Sequence, residues 1–118
     1  MTVQDISELL NARVLCCDDM LQHPVHTACG SDMMSDVLAH VDDQSVLITG
    51  LCNPQVLRTA EMMDIVCVIM VRDKCPDDAM IKMAKDRNIC LITTALPMFT
   101  ACGLLYSAGL RGGGSHGK

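Results

Sequence analysis

The chain has 118 residues, half of them hydrophobic, a formal net charge of −5, and one phenylalanine and one tyrosine as its only aromatic side chains. That length suits one domain with a single real core, and an acidic, ring-poor chain lacks the basic face or stacking platform that nucleic-acid binding uses. The longest apolar run, residues 65–71, is far shorter than the roughly 20 residues of a membrane helix, and no early apolar segment follows the N-terminus, so the sequence predicts a cytoplasmic protein with no membrane partner.

Taken in order, Thr2 with Asp5 three residues on predicts a capped first helix whose Ile6, Leu9 and Leu10 share a face. Residues 14–17 read as a short strand, 18–24 as an exposed connection and 25–29 as a second strand. Gly30-Ser31-Asp32 opens a helix in which Met34, Val37, Leu38 and Val41 follow helical spacing. A turn at 42–44 leads into a strand at 45–49. Asn53 is a good N-cap before Pro54, and Val56, Leu57, Ala60 and Met63 form the buried stripe of a helix over 54–64.

The next unit repeats this design. Residues 65–71 form an unbroken apolar strand, as expected of a parallel strand covered on both faces. Pro76 suits the first turn of a helix over 76–88, with Asp77 and Asp78 beside it and Ala79, Met80, Met83 and Ala84 on its inner stripe. Residues 89–93 make the last strand, and a final helix over 97–108 carries Phe99, Cys102, Leu105 and Tyr106, ended by Gly109. Alternating strands and helices of this kind predict a single three-layer α/β/α domain over residues 1–111 with a mostly parallel sheet and right-handed crossovers. Residues 112–118 read as a flexible Gly-rich tail. The tail matches G-x-x-x-x-G-K formally, but it lacks the following Ser or Thr, the strand before it and the helix after it, so it is no phosphate loop.

In a parallel α/β domain the loops after strand C-termini line the ligand crevice. Those loops hold Thr49, Gly50, Asn53, Arg72, Lys74, Thr93 and Thr94: two cations, several hydroxyls and N–H groups at helix starts, a set suited to a phosphate or carboxylate. The opposing explanation is that Asn53 only caps its helix, the threonines end strands and the cations are solvated. The eight cysteines include no C-x-x-C pair. Without a secretory signal they read mostly as small apolar core residues, above all Cys67 and Cys90 within strands. Cys29, Cys52 and Cys75 fall near strand-to-helix loops and form the alternative metal or iron–sulfur set, with Cys16, Cys17, His26 or a second copy supplying a fourth ligand. Asp32, Ser35 and Asp36 are explained by capping, and no hydrolase, zincin or complete phosphate-loop motif is present, which argues against an enzyme. Met33 and Met62 place methionine beyond the core stripe and suit a partner surface, and two-fold dimers are the commonest oligomers.

Segments 32–39, 48–50, 58–61, 74–76 and 98–103 recur in an order that resembles the DRTGG domain family over residues 6–109, and more distantly the N-terminal domain of HPr kinase/phosphorylase. The Asp-Arg-Thr-Gly-Gly string that names the family is absent. The resemblance implies a three-layer α/β unit that serves as a dimerisation or regulatory piece without catalytic residues, sensing a nucleotide or other anionic metabolite. Small stand-alone members resembling this chain accompany iron-only hydrogenases and related redox systems of anaerobic bacteria. The implied role is therefore a homodimeric regulator or scaffold in such a complex, with an iron–sulfur or metal-binding accessory protein as the alternative. A chain with ten methionines and eight cysteines suits a reducing compartment.

Overall fold

Five strands form one sheet in the order β1-β5-β4-β3-β2, and the computed structural model describes residues 1–40 and 45–112, with no side-chain description of residues 39 and 40. The strands are β1 (Arg13–Cys16), β2 (Ala28–Gly30), β3 (Val46–Thr49), β4 (Cys67–Met70) and β5 (Cys90–Thr93). β2 to β5 are parallel neighbours and β1 runs antiparallel along β5, so the expected mostly parallel α/β architecture is what the chain adopts.

The helices are α1 (Val3–Leu9), α2 (Met34–His40), α3 (Pro54–Met62), α4 (Asp78–Asp86) and α5 (Met98–Ser107). Each crossover from β2 to β5 moves the chain one strand along in the same direction. Right-handed connections of that kind place α2, α3 and α4 on one face. There Val37, Val56, Leu57, Ala60, Met80 and Ala84 pack on Leu47, Val68, Met70 and Leu91. The other strand face carries Val46, Ile48, Ile69 and Ile92 and is covered by Ile6 and Leu10 from the α1 segment and by Ala101 and Leu105 of α5. Alternate residues of each central strand thus feed two separate cores, which is why β3, β4 and β5 are apolar throughout.

Local signals hold where they rest on backbone chemistry. Thr2 and Asp5 form the capping box, with the Asp5 amide donating to Thr2 Oγ1 at 3.2 Å and the Thr2 amide to Asp5 Oδ2 at 2.9 Å. Asn53 caps α3 through the Gln55 amide at 2.9 Å, with Pro54 in the first turn. Several expectations are corrected. Pro76 lies outside α4 and is buried, because Asp77 is the cap and accepts from the Met80 amide at 2.9 Å. β2 is shorter than 25–29. Leu9, Leu38 and Ala79 leave their stripes for the surface, since α1, α2 and α4 each present only a narrow face to the sheet. Phe99 is 89% exposed and Tyr106 60%, because Ala101 and Leu105 take the sheet-facing positions of α5. Val41 and the tail beyond Gly112 lie outside the described residues. Among the described residues no helix is long and apolar enough to cross a membrane.

Thr59 is buried in α3 with a hydroxyl that has no hydrogen-bond partner among the described residues. An unsatisfied buried hydroxyl costs free energy that a methyl group of the same shape does not. Thr59→Val is therefore expected to stabilise the fold by about 1 kcal/mol. Chemical denaturation of both proteins reads this directly, and a variant less stable than the parent would contradict it.

Candidate functional site

Loops after neighbouring parallel strands part to opposite faces at one place only in this sheet. The chain leaves β4 toward α4 on one face and leaves β5 toward α5 on the other, which is the geometry that opens a crevice at strand C-termini. Here the two loops are tied together. The Arg72 amide donates to Leu96 O at 2.9 Å and the Asp73 amide to Thr94 O at 2.8 Å. Arg72 and Asp73 take left-handed conformations, φ 56° and 57°. For residues other than glycine this costs on the order of 1–3 kcal/mol each and persists only where surrounding contacts impose it.

The candidate residues divide sharply once their partners are known. Thr93 Oγ1 donates to Lys74 O at 2.9 Å, and Thr94 Oγ1 donates to Leu10 O at 2.8 Å, so both threonines are committed to holding the loops and α1 in place. Asn53 serves as the α3 cap. Arg72 and Lys74 are exposed, and among the described residues neither side chain has a hydrogen-bond or ion-pair partner. Both belong to the loop that follows β4.

Thr49 and Gly50, at the end of β3, already hold a carboxylate. Asp32 Oδ1 accepts from Thr49 Oγ1 at 3.0 Å and from the Gly50 amide at 2.6 Å, and the Leu51 amide in turn donates to Thr49 Oγ1 at 3.1 Å. Asp32 is therefore not a helix cap, as its sequence position suggested. It reaches from the β2–α2 connection across to the next parallel strand. A Thr-Gly step at the end of an apolar strand, with an acidic residue after the adjacent strand, is the sequence signal for this contact, but only the strand order makes it readable.

The cysteines separate as well. Cys52 is half-buried and lies near Cys75, Lys74 and Asp77; burial pushes its thiol pKa up first, Asp77 and Cys75 add to that, and Lys74 opposes. Cys29 belongs to the β2 edge, where burial, then Cys102 and Asp36, raise its pKa. Cys29 thus stands apart from Cys52 and Cys75, and among the described residues no three metal-ligating side chains converge on one point. A further set surrounds β5: Cys67 and Cys90 are buried register partners, and Cys16 donates to Ile89 O at 3.5 Å. The hydrogen bond to Cys90, followed by burial, holds the Cys67 thiol well above the ordinary value. Cys17 is pushed up from 9.0 to about 12, by burial first and then by Cys16.

These thiols carry a pH consequence. A group whose folded pKa is raised contributes stability that is complete below its unfolded value and is lost as pH rises through the folded value. With Cys17, Cys29, Cys52 and Cys102 raised above the ordinary thiol value of 9.0, and Cys67 raised while its bonded partner Cys90 is lowered and so opposes it, the melting temperature is expected to fall as pH climbs from 9 toward 12. Thermal melts across that window, with thiolate absorbance followed in parallel, check this; an unchanged melting temperature with thiolate forming in the folded protein would refute it.

With this geometry in hand, known proteins place the chain. The CBS and DRTGG domains of the regulatory region of Clostridium perfringens pyrophosphatase, solved with the activator diadenosine tetraphosphate, match it with a TM-score of 0.74 at 20% identity. The match covers 88% of this chain and 45% of that one, so this chain spans less than half of the neighbour's length, and at that identity the likeness establishes the fold. No curated protein sequence matches the chain. The family model of the DRTGG domain matches residues 5–108, nearly the whole of the described domain, and the chain belongs to the DRTGG domain family.

Proposed function

We propose that this DRTGG domain is a non-catalytic, cytoplasmic regulatory module that senses a nucleotide or related polyanionic metabolite at the β4/β5 crevice. The observation that carries the reading is the pair Arg72 and Lys74: two exposed cations without partners among the described residues, on a loop fixed in a costly backbone conformation by its neighbour. Such an arrangement anchors two uncommitted cations at a fixed place on the backbone, which favours a phosphate-bearing ligand. The pyrophosphatase regulatory region that shares the fold was solved with a dinucleotide activator, which agrees in ligand class. Asp32, seated on Gly50 and Thr49, supplies a coupling element, because a ligand phosphate competing for those donors would release the start of α2.

The module acts as a homodimer within an anaerobic, hydrogenase-associated redox system. Met33 and Met62, 61% and 71% exposed, support an interaction surface on the α2/α3 layer. A second reading, an iron–sulfur or metal-binding accessory protein for a hydrogenase, is favoured by the proximity of Cys75, on the loop after β4, to Cys52, on the loop after β3. Iron bound after anaerobic reconstitution and lost in Cys52→Ser would promote that reading.

The test of the first reading is a thermal-shift series with diadenosine tetraphosphate, ATP, AMP and inorganic phosphate. A ligand that binds only the folded state stabilises it by about 2.7 kcal/mol at a hundred times its Kd. Replacing Arg72 and Lys74 together by alanine is expected to weaken binding by about a hundredfold or more, the scale of losing two charge-assisted contacts. If no nucleotide shifts the melting temperature, or the double variant responds like the parent, the crevice is not a nucleotide sensor.

A further inference from the structure

A separate cleft lies at the opposite edge of the sheet, under α5. Ala28 and Gly30 of β2, Ile48 of β3, Leu105 of α5 and Leu110 line its walls, and it is half-open with a volume of about 110 Å3. Its shape owes something to a missing side chain: a Cβ on Gly30 would lie 2.7 Å from Cys102 Sγ, so a larger residue there would push the Cys102 side chain aside. The cleft is thus a gap between small residues on an edge strand and the apolar underside of a helix.

One charge stands beside it. The Arg111 guanidinium stacks over the Tyr106 ring at 3.9 Å from its centre, and Nη1 donates to Tyr106 O at 2.8 Å and to Leu110 O at 2.9 Å. The Arg111 carbonyl accepts from the Ala28 amide at 3.0 Å, which fixes the residue against β2. Three contacts therefore preorganise the guanidinium, while among the described residues Nε and Nη2 have no hydrogen-bond partner. Among the described residues no carboxylate lies within ion-pairing distance of it.

We propose that this cleft binds a short aliphatic carboxylate of about three or four carbons, smaller than the benzene that an apolar cavity of about 150 Å3 accepts. Its chain lies between Ala28, Ile48 and Leu105, and its carboxylate pairs with the free edge of Arg111. The planar fork of a guanidinium matches two carboxylate oxygens. The apolar walls give the alkyl chain the burial that a bare inorganic anion could not use. This site lies at the β2 edge, away from the loops after β4 and β5, and stands or falls separately from the proposed nucleotide site.

The experiment is an NMR titration of the full chain with sodium butyrate at constant ionic strength, alongside butyramide and sodium phosphate. Butyrate is expected to give saturable shifts at Ala28, Ile48 and Leu105 in the millimolar range, the scale for a ligand of so few atoms. Butyramide, the same shape without the charge, should bind at least about tenfold more weakly, as should butyrate to Arg111→Gln, whose exposed side chain can be changed without touching the core. Phosphate should leave the cleft residues unshifted. The absence of saturable shifts with butyrate, or butyramide or phosphate shifting the same residues equally, overturns the proposal without recourse to any variant.

Discussion

Ile69→Ala is expected to cost about 2–5 kcal/mol, the range for removing a large aliphatic side chain from a packed core. Ile69 sits on β4, the central strand of five, and is 0% exposed. It belongs to the core between the sheet and the α1/α5 layer, flanked in register by Ile48 on β3 and Ile92 on β5. Neighbours on both sides are held by ladder hydrogen bonds, so the sheet cannot close over the space left behind and the cavity persists. The lost transfer energy and the cavity then add. Urea denaturation of the two proteins measures the difference. A loss under 1 kcal/mol would mean the site collapses freely and this core is not the close-packed one described.

Asp32→Ala is expected to cost about 1.5–3 kcal/mol, the value of hydrogen bonds to a charged group. The carboxylate accepts from two donors, the Gly50 amide and the hydroxyl of Thr49, which is fully buried. Removing it leaves both without their acceptor at a point where β3 turns into α3. Asp32→Asn can keep its one oxygen at the Oδ1 position, where both donors converge, but loses the charge, and is expected to recover part of the loss. Hydrogen exchange at Gly50 separates this from a general weakening of the fold: in Asp32→Ala that amide exchanges faster while Ile69, deep in β4, changes only with global stability. An Asp32→Ala protein as stable as the parent, with Gly50 still protected, would show that solvent replaces the carboxylate at no cost.

The fold was legible in the sequence to the extent that it rests on local rules. Asn53 before Pro54, the Thr2–Asp5 box and the apolar run at 65–71 concern residues within a few positions of one another; both caps appear where expected, and the buried run contains β4 at Cys67–Met70. Pro76 shows the limit. It carries the same helix-start signal as Pro54, but Asp77 is a better cap and wins by accepting from Met80, so the helix begins after the proline. Phe99 and Tyr106 show another: large side chains on a helix are expected inward, but α5 meets the sheet through the smaller Ala101 and Leu105.

The candidate site was legible as a place and not as a set of free groups. Residue type alone put Thr49, Gly50, Thr93 and Thr94 at strand ends with donors to offer. Their partners lie far away in sequence, Asp32 at 17 positions from Thr49 and Leu10 at 84 from Thr94, and no periodicity reports such pairings. Strand number, the caps at Thr2 and Asn53, the alternation of β and α and the parallel sheet were determined by the sequence alone, because each follows from backbone hydrogen bonding and from the spacing of apolar side chains within one element. Only the tertiary structure decided the order β1-β5-β4-β3-β2, the antiparallel edge, the commitment of every candidate hydroxyl, the freedom of Arg72 and Lys74, and the cleft beside Arg111. Those depend on which distant segments meet, and that choice is made by burial of two whole sheet faces at once rather than by any single stretch of chain.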